Sequence, residues 1–175
     1  GSAITISPNS AYVMYLQSEV DDSTGGNNDG IINPGETIVL PTWVKNWGSL
    51  TATDVTGALS TPDTLVAMVD TMKSYGSIPA ADSAYTGADG YEFTVGSACG
   101  NGYVLEFDVE CRDANDSVWM SGMNLWVGTA MMAYVGYDVD DCPPGGNGDG
   151  KIDPGETAGL WVDLLNHGLG HGYNV

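Results

Sequence analysis

Two stretches of this sequence carry oxygen-bearing side chains at matched spacing. GNNDGIINPGET occupies residues 26–37 and GNGDGKIDPGET occupies residues 146–157, with nine of twelve letters identical. Carboxylates and amides at fixed intervals around a glycine are what a hard divalent cation needs, because Ca²⁺ takes six to eight oxygen ligands in a flexible shell. On a calcium-loop template with Gly at position six and Glu at position twelve, Gly30 and Gly150 make the sharp turn. Asn27, Asp29, Asn33 and Glu36 fall on positions three, five, nine and twelve of the first copy, and Ile31 offers its carbonyl at seven. The second copy places Asn147, Asp149, Lys151, Asp153 and Glu156 identically, and Lys151 is tolerated because position seven uses only its carbonyl. Position one reads Gly25 and Gly145 rather than Asp. The acidic pairs upstream, Asp21-Asp22 and Asp140-Asp141, can supply the missing ligand through a longer loop. Turn chemistry alone accounts for NDG and NPG, but it does not require a Glu at a constant distance in both copies.

The segments that must hold these loops read as strands. Pro34-Gly35 and Pro154-Gly155 close the loops, and the segments after them alternate: Ile38, Leu40, Thr42 and Val44 after the first, Leu160, Val162 and Leu164 after the second. The loops therefore retain the core of an EF-hand without its helices. Elsewhere the apolar period is two. In YVLEFDVEC, Tyr103, Leu105, Phe107, Val109 and Cys111 share one face; in YEFTV, Tyr91, Phe93 and Val95 do; Trp119, Met123, Leu125 and Val127 form a third stripe. Pro41 interrupts TIVLPTWVKN and predicts an edge or a bulge, since proline donates nothing to a ladder. With turn clusters between short strands and no helical period, the expected fold is all-β, an immunoglobulin-like β-sandwich with EF-hand-like calcium loops that lead into strands.

The register continues beyond the loops. Asn46 and Gly48 align with Asn166 and Gly168, Val55 with Val175, and Tyr15 and Val20 with Tyr134 and Val139. The unit is about 120 residues long, and the expected division is a complete module over 1–138 and the first part of a second over 139–175.

Composition narrows function. With 23 acidic and 4 basic residues the net charge is −19, which disfavours nucleic acid, whose phosphates need clustered Lys and Arg. No run of eighteen apolar residues spans a membrane, and no apolar h-region opens the sequence, so any secretion signal is expected to have been removed or to lie outside this sequence. The chain has 175 residues with two histidines, His167 and His171, in a glycine-rich stretch. It offers no nucleophile with a base at a recognisable spacing, and a catalytic role is not expected. Cys99, Cys111 and Cys142 leave an odd thiol, and Cys142 is expected not to pair with Cys111 but to be free or bonded to another chain.

The strings DD, GNNDGIINPGET, LPTWVKNWGS and ATDVTGALS, together with YVGYDVDDCPPGGNGDGKIDPGETAGLWVDLLNHG, resemble the immunoglobulin-like, cell-adhesion-related repeat modules of large secreted bacterial and archaeal proteins, including modules that accompany gingipain-type cysteine peptidases. That resemblance implies a non-catalytic extracellular or cell-surface module. Residues 139–175 are too few to close a sandwich and would leave Leu160, Val162 and Leu164 uncovered, so self-association head to tail or membership of a repeat array is expected. The alternatives are a glycan-binding module using Trp43, Trp47, Trp119 or Trp126, and an accessory domain of a larger secreted peptidase.

Overall fold

The computed structural model describes residues 9–172, so the expected match of Val55 with Val175 lies outside the described residues. Among them every regular element is a strand: β1 (Val13–Ser18), β2 (Asp21–Gly25), β3 (Thr37–Leu40), β4 (Thr42–Asn46), β5 (Ala52–Ser60), β6 (Val66–Asp70), β7 (Met72–Ile78), β8 (Ser83–Tyr85), β9 (Tyr91–Val95), β10 (Val104–Arg112), β11 (Val118–Trp126), β12 (Met132–Asp140) and β13 (Gly159–Asn166). The chain forms two compact units, Gly1–Gly128 and Thr129–Val175. The division precedes the expected 138/139 because 132–140 pairs along its whole length with 159–166 and so belongs with the second unit.

In the first unit the strands build three antiparallel sheets, β1-β4-β8, β2-β3-β9-β6 and β11-β10-β5-β7. The alternation read from the sequence decides what each sheet buries. Leu105, Phe107, Val109 and Cys111 of β10 turn inward while Val104, Asp108 and Arg112 face water. Tyr91, Phe93 and Val95 of β9 meet them from the opposing sheet: the Phe93 and Phe107 rings lie 4.9 Å apart, and the Tyr75 and Tyr91 hydroxyls share a 3.2 Å hydrogen bond. Burial of the two phenols raises both above the usual tyrosine range, Tyr91 to about 12. Tyr103, expected on the inner face, lies before β10 and stays partly exposed.

Pro41 acts at neither a sheet edge nor a bulge. It joins β3 to β4, which lie in different sheets, and its carbonyl accepts from Glu19 N at 3.0 Å. A residue without an N–H suits a point where one strand leaves one ladder and enters another. In the second unit Trp161 stands at the corresponding place and β13 runs straight through, pairing with β12 alone.

The two units share a hairpin register. Val13 pairs with Asn46 and Tyr15 with Val44, and a bulge then shifts Gln17 onto Trp43. Met132 pairs with Asn166 and Tyr134 with Leu164, and a bulge shifts Gly136 onto Asp163. The bulged residues, Leu16 and Val135, stand at equivalent positions.

Candidate metal centre: two acidic loops

Strand parity settles which acid of the upstream pair turns toward the loop. Asp21 pairs with Val39, whose neighbours Ile38 and Leu40 point into the core, so Asp21 faces out and Asp22 in. Asp21 accepts from Ser23 N at 3.0 Å and Ser23 Oγ at 2.5 Å, which holds its carboxyl below the usual range. Asp22 is 2% exposed. Its Oδ2 accepts from Asp29 N at 3.0 Å and its Oδ1 from Gly30 N at 3.1 Å. The loop therefore folds over the Asp22 carboxylate.

The remaining expected ligands join the same network. Asn27 Oδ1 accepts from Asp29 N at 3.0 Å, and Asp29 Oδ1 from Ile31 N at 2.8 Å. Glu36, 9% exposed, accepts from Asn27 N at 3.1 Å with Oε1 and from Asn33 N at 2.9 Å with Oε2. Asn27 Nδ2 donates to Asn33 Oδ1 at 2.7 Å. Gly30 turns with φ +75° and Gly35 with φ +89°, values that favour glycine. Gly26 lies between the two buried acids: a Cβ there would meet Asp22 Cβ and Glu36 Cδ, each at 2.8 Å.

The second loop repeats the arrangement. Asp141 is 3% exposed and accepts from Asp149 N at 3.0 Å and Gly150 N at 3.2 Å, while Asp140 turns away to accept from Cys142 N at 3.2 Å. Asn147 Oδ1 accepts from Asp149 N at 2.9 Å, Asp149 Oδ1 from Lys151 N at 2.9 Å, and Glu156 Oε2 from Asp153 N at 3.1 Å. Asn147 Nδ2 donates to Asp153 Oδ2 at 3.0 Å, as Asn27 does to Asn33. A Cβ on Gly146 would meet the Asp141 backbone oxygen and, at 2.9 Å, Asp141 Cβ.

What differs is the frame. In the first unit Ile32 is 2% exposed and forms a parallel bridge with Val127. Ile152, its counterpart, is 64% exposed. In the first unit Gly35 N also donates to Val95 O at 2.9 Å, tying the loop to β9.

Among the described residues no three His, Cys, Asp or Glu side chains converge into a metal cluster. In the first loop the side-chain oxygens of Asp22, Asn27, Asp29 and Glu36 each accept backbone N–H groups of the loop, and Gly26 is too tightly placed to carry a side chain. Sequence reasoning marked these residues as candidates but left the choice within each acidic pair open, although in the first pair strand parity distinguishes Asp21 from Asp22. It also missed the grip of the first loop on Gly128: Asn33 Nδ2 donates to Gly128 O at 2.6 Å, and Gly128 N donates to Ile32 O at 2.9 Å. The Asn-to-Asp difference between positions 33 and 153 was the available signal.

The aromatic candidates are partly committed to internal contacts. Trp43 stacks on Tyr85 at 3.8 Å and 10°, and Lys45 Nζ sits 4.4 Å from the Trp47 ring centre. Trp119 is core, whereas Trp126 is exposed. All three cysteines are free thiols, Cys99 and Cys111 buried and Cys142 exposed.

No family model matches the chain, and no curated protein matches it. Eight solved chains do. One is the ASH/PapD-like domain of human CEP192 (PapD-like domain 7), 16% identical with a TM-score of 0.35, over 71% of this chain and 89% of that one. The strand pairing, not that likeness, establishes the fold.

Proposed function

We propose that this chain is a non-catalytic, extracellular structural module of the immunoglobulin-like, cell-adhesion-related kind. Its loops bind Ca²⁺, and its second hairpin is covered by another copy in a head-to-tail filament or array. The observation that carries this reading is the pairing of identical register with opposite burial. Hairpin β12–β13 reproduces the first-unit hairpin down to its bulge, yet all eight residues of β13 are exposed. In the first unit the equivalent strands have paired edges, β3 with β9 and β4 with β8, and Leu40 and Val44 join the common core. An apolar strand with an open edge is a template for strand addition, and a head-to-tail contact that does not close on itself makes a fibre.

Calcium fits the donor set. Asp22, Asn27, Asp29, Asn33 and Glu36 would hold one ion, and Asp141, Asn147, Asp149, Asp153 and Glu156 another, with the carbonyls of Ile31 and Lys151. The ion's contribution is charge: it neutralises carboxylates that repel one another, and by binding only the folded loop it stabilises the fold. The chain's own contribution is to pre-set the acids through backbone N–H donors and to exclude a side chain at Gly26 and Gly146.

The test uses the full chain in calcium buffer, examined by electron microscopy and sedimentation, beside a Leu160→Glu/Leu164→Glu variant. Filaments from the parent and a monomeric variant are expected. A parent that stays monomeric at high concentration in calcium defeats the assembly reading and leaves that of a repeat fragment.

A further inference from the structure

We infer that Asn33 is a positioning residue that couples occupancy of the first loop to the order of the chain's exit from the first unit at Gly128. The inference rests on the calcium reading above and adds a consequence for one peptide group. Gly128 is the last residue of the first unit. Both of its backbone polar groups are taken by consecutive loop residues: its N–H by Ile32 O at 2.9 Å and its carbonyl by Asn33 Nδ2 at 2.6 Å. Val127 just before it is held in the same fashion, donating to Tyr103 O at 2.9 Å and accepting from Gly102 N at 2.8 Å. Beyond this point the next strand begins only at Met132.

Asn33 is suited to this because an amide has two ends. Its oxygen lies within the loop, accepting from Asn27, while its nitrogen leaves the loop for Gly128. A cation drawing on that oxygen at position nine would fix the amide plane and with it the direction of the donor N–H. A carboxylate cannot do this, since an ionised Asp only accepts. Asp153 occupies the corresponding place in the second loop, where its Oδ2 accepts from Asn147. The two loops thus carry the same ligand pattern, but only the first has a donor at position nine to pass on.

The variant Asn33→Asp separates ligation from coupling, because it keeps an oxygen for the ion and removes the N–H. Calorimetry with calcium chloride on the full chain measures binding. Amide hydrogen exchange over residues 126–130, with and without calcium, measures the exit. In the parent, calcium is expected to slow exchange over residues 126–130 about three- to tenfold, because the Asn33 bond to the Gly128 carbonyl holds the segment and is worth about one hydrogen bond. N33D is expected to bind calcium at least as tightly and to lose most of that slowing, while exchange in β9 stays as in the parent. N33D that binds calcium and keeps the full slowing overturns the inference and spares the calcium reading. A parent that gives no calcium heat overturns both.

Discussion

The hairpin of the first unit and the hairpin of the second share a register, a bulge, an acidic loop and an asparagine, yet one is core and the other is surface. Leu40 is 0% exposed and Leu160 is 58% exposed at equivalent positions. The difference teaches that the local sequence writes the hairpin, while its burial is written by strands elsewhere. β5, β7, β10 and β11 supply the sheet that opposes β3 in the first unit, and within the described residues the second unit contains β12 and β13 alone. The sharpest way to break the comparison is therefore to truncate the same side chain in both places. Leu40→Ala should lower unfolding free energy by about 2–5 kcal/mol through lost burial and a cavity. Leu160→Ala in the monomer should stay within about 0.5 kcal/mol, as exposed changes do. Urea unfolding of the two variants below the assembly concentration measures both. Equal costs would mean that Leu160 is covered in the monomer.

The asparagines give a finer version of the same test. Asn46 is fully buried and satisfies four backbone groups: Tyr12 N at 3.0 Å, Gly48 N at 2.9 Å, Leu50 O at 2.7 Å and Ile78 O at 3.0 Å. Asn166 repeats three of these, with Met131 N at 2.9 Å, Gly168 N at 2.9 Å and Gly170 O at 2.7 Å. The fourth partner in the first unit, Ile78, ends β7, a strand for which the second unit has no counterpart among the described residues. Removing a buried side chain that caps four groups leaves each with its desolvation cost. Asn46→Ala should cost about 2–4 kcal/mol and Asn166→Ala about 1 kcal/mol, read from the same urea curves.

The strands were legible because the inner and outer faces differ in polarity, so period two marked β9, β10 and β11 directly. The loops were legible because they occur twice. The direction of each acidic pair was not read, since it depends on which residue of β3 faces the core. Pro41 was read as a ladder defect, but its effect is set by the two sheets on either side of it, which no local pattern encodes. The exposure of Leu160, Val162 and Leu164 follows from β13 pairing with β12 alone among the described residues. Asn46 aligned with Asn166 in the sequence, but its capping role appears only when Tyr12, Leu50 and Ile78 are brought together.

The loops sharpen the comparison through their closing acid. Both Glu36 oxygens accept backbone N–H groups, so Glu36→Gln replaces one acceptor by a donor facing a donor, and it removes a charge from the proposed ion. For Glu156, partly exposed, one such acceptance is seen, from Asp153 N. Thermal unfolding with calcium at one hundred times its dissociation constant should gain about 2.7 kcal/mol over the chelated protein for a single site. E36Q should lose most of that gain and E156Q less, because unfolding of the first unit dominates the transition. A midpoint that ignores both calcium and chelator would remove the metal from the account.

The smallest expected effect concerns the one place where the loops differ in reactivity. Ser23 in the first loop donates through Oγ to Asp21; its counterpart Cys142 lies against Asp140, whose hydrogen bond and charge push its thiol up even though it is exposed. Cys111 is fully buried, and burial pushes its thiol up to about 12. Burial, with Asp63 nearby, also raises Cys99. The thiolate is the reacting species, so a group whose folded pKa lies that high stays protonated and inert at pH 8. Titration of the native protein with a thiol reagent at pH 8 should find one accessible thiol, slowed by Asp140, and three after denaturation. Cys142→Ser copies the first loop and should change stability by no more than about 0.5 kcal/mol, while abolishing the native signal and any oxidised dimer. If the native signal survives that substitution, Cys99 or Cys111 is reached through an opening of the first unit. If oxidation joins Cys142 to Cys111 within one chain, the division of the chain at Gly128 does not hold in solution.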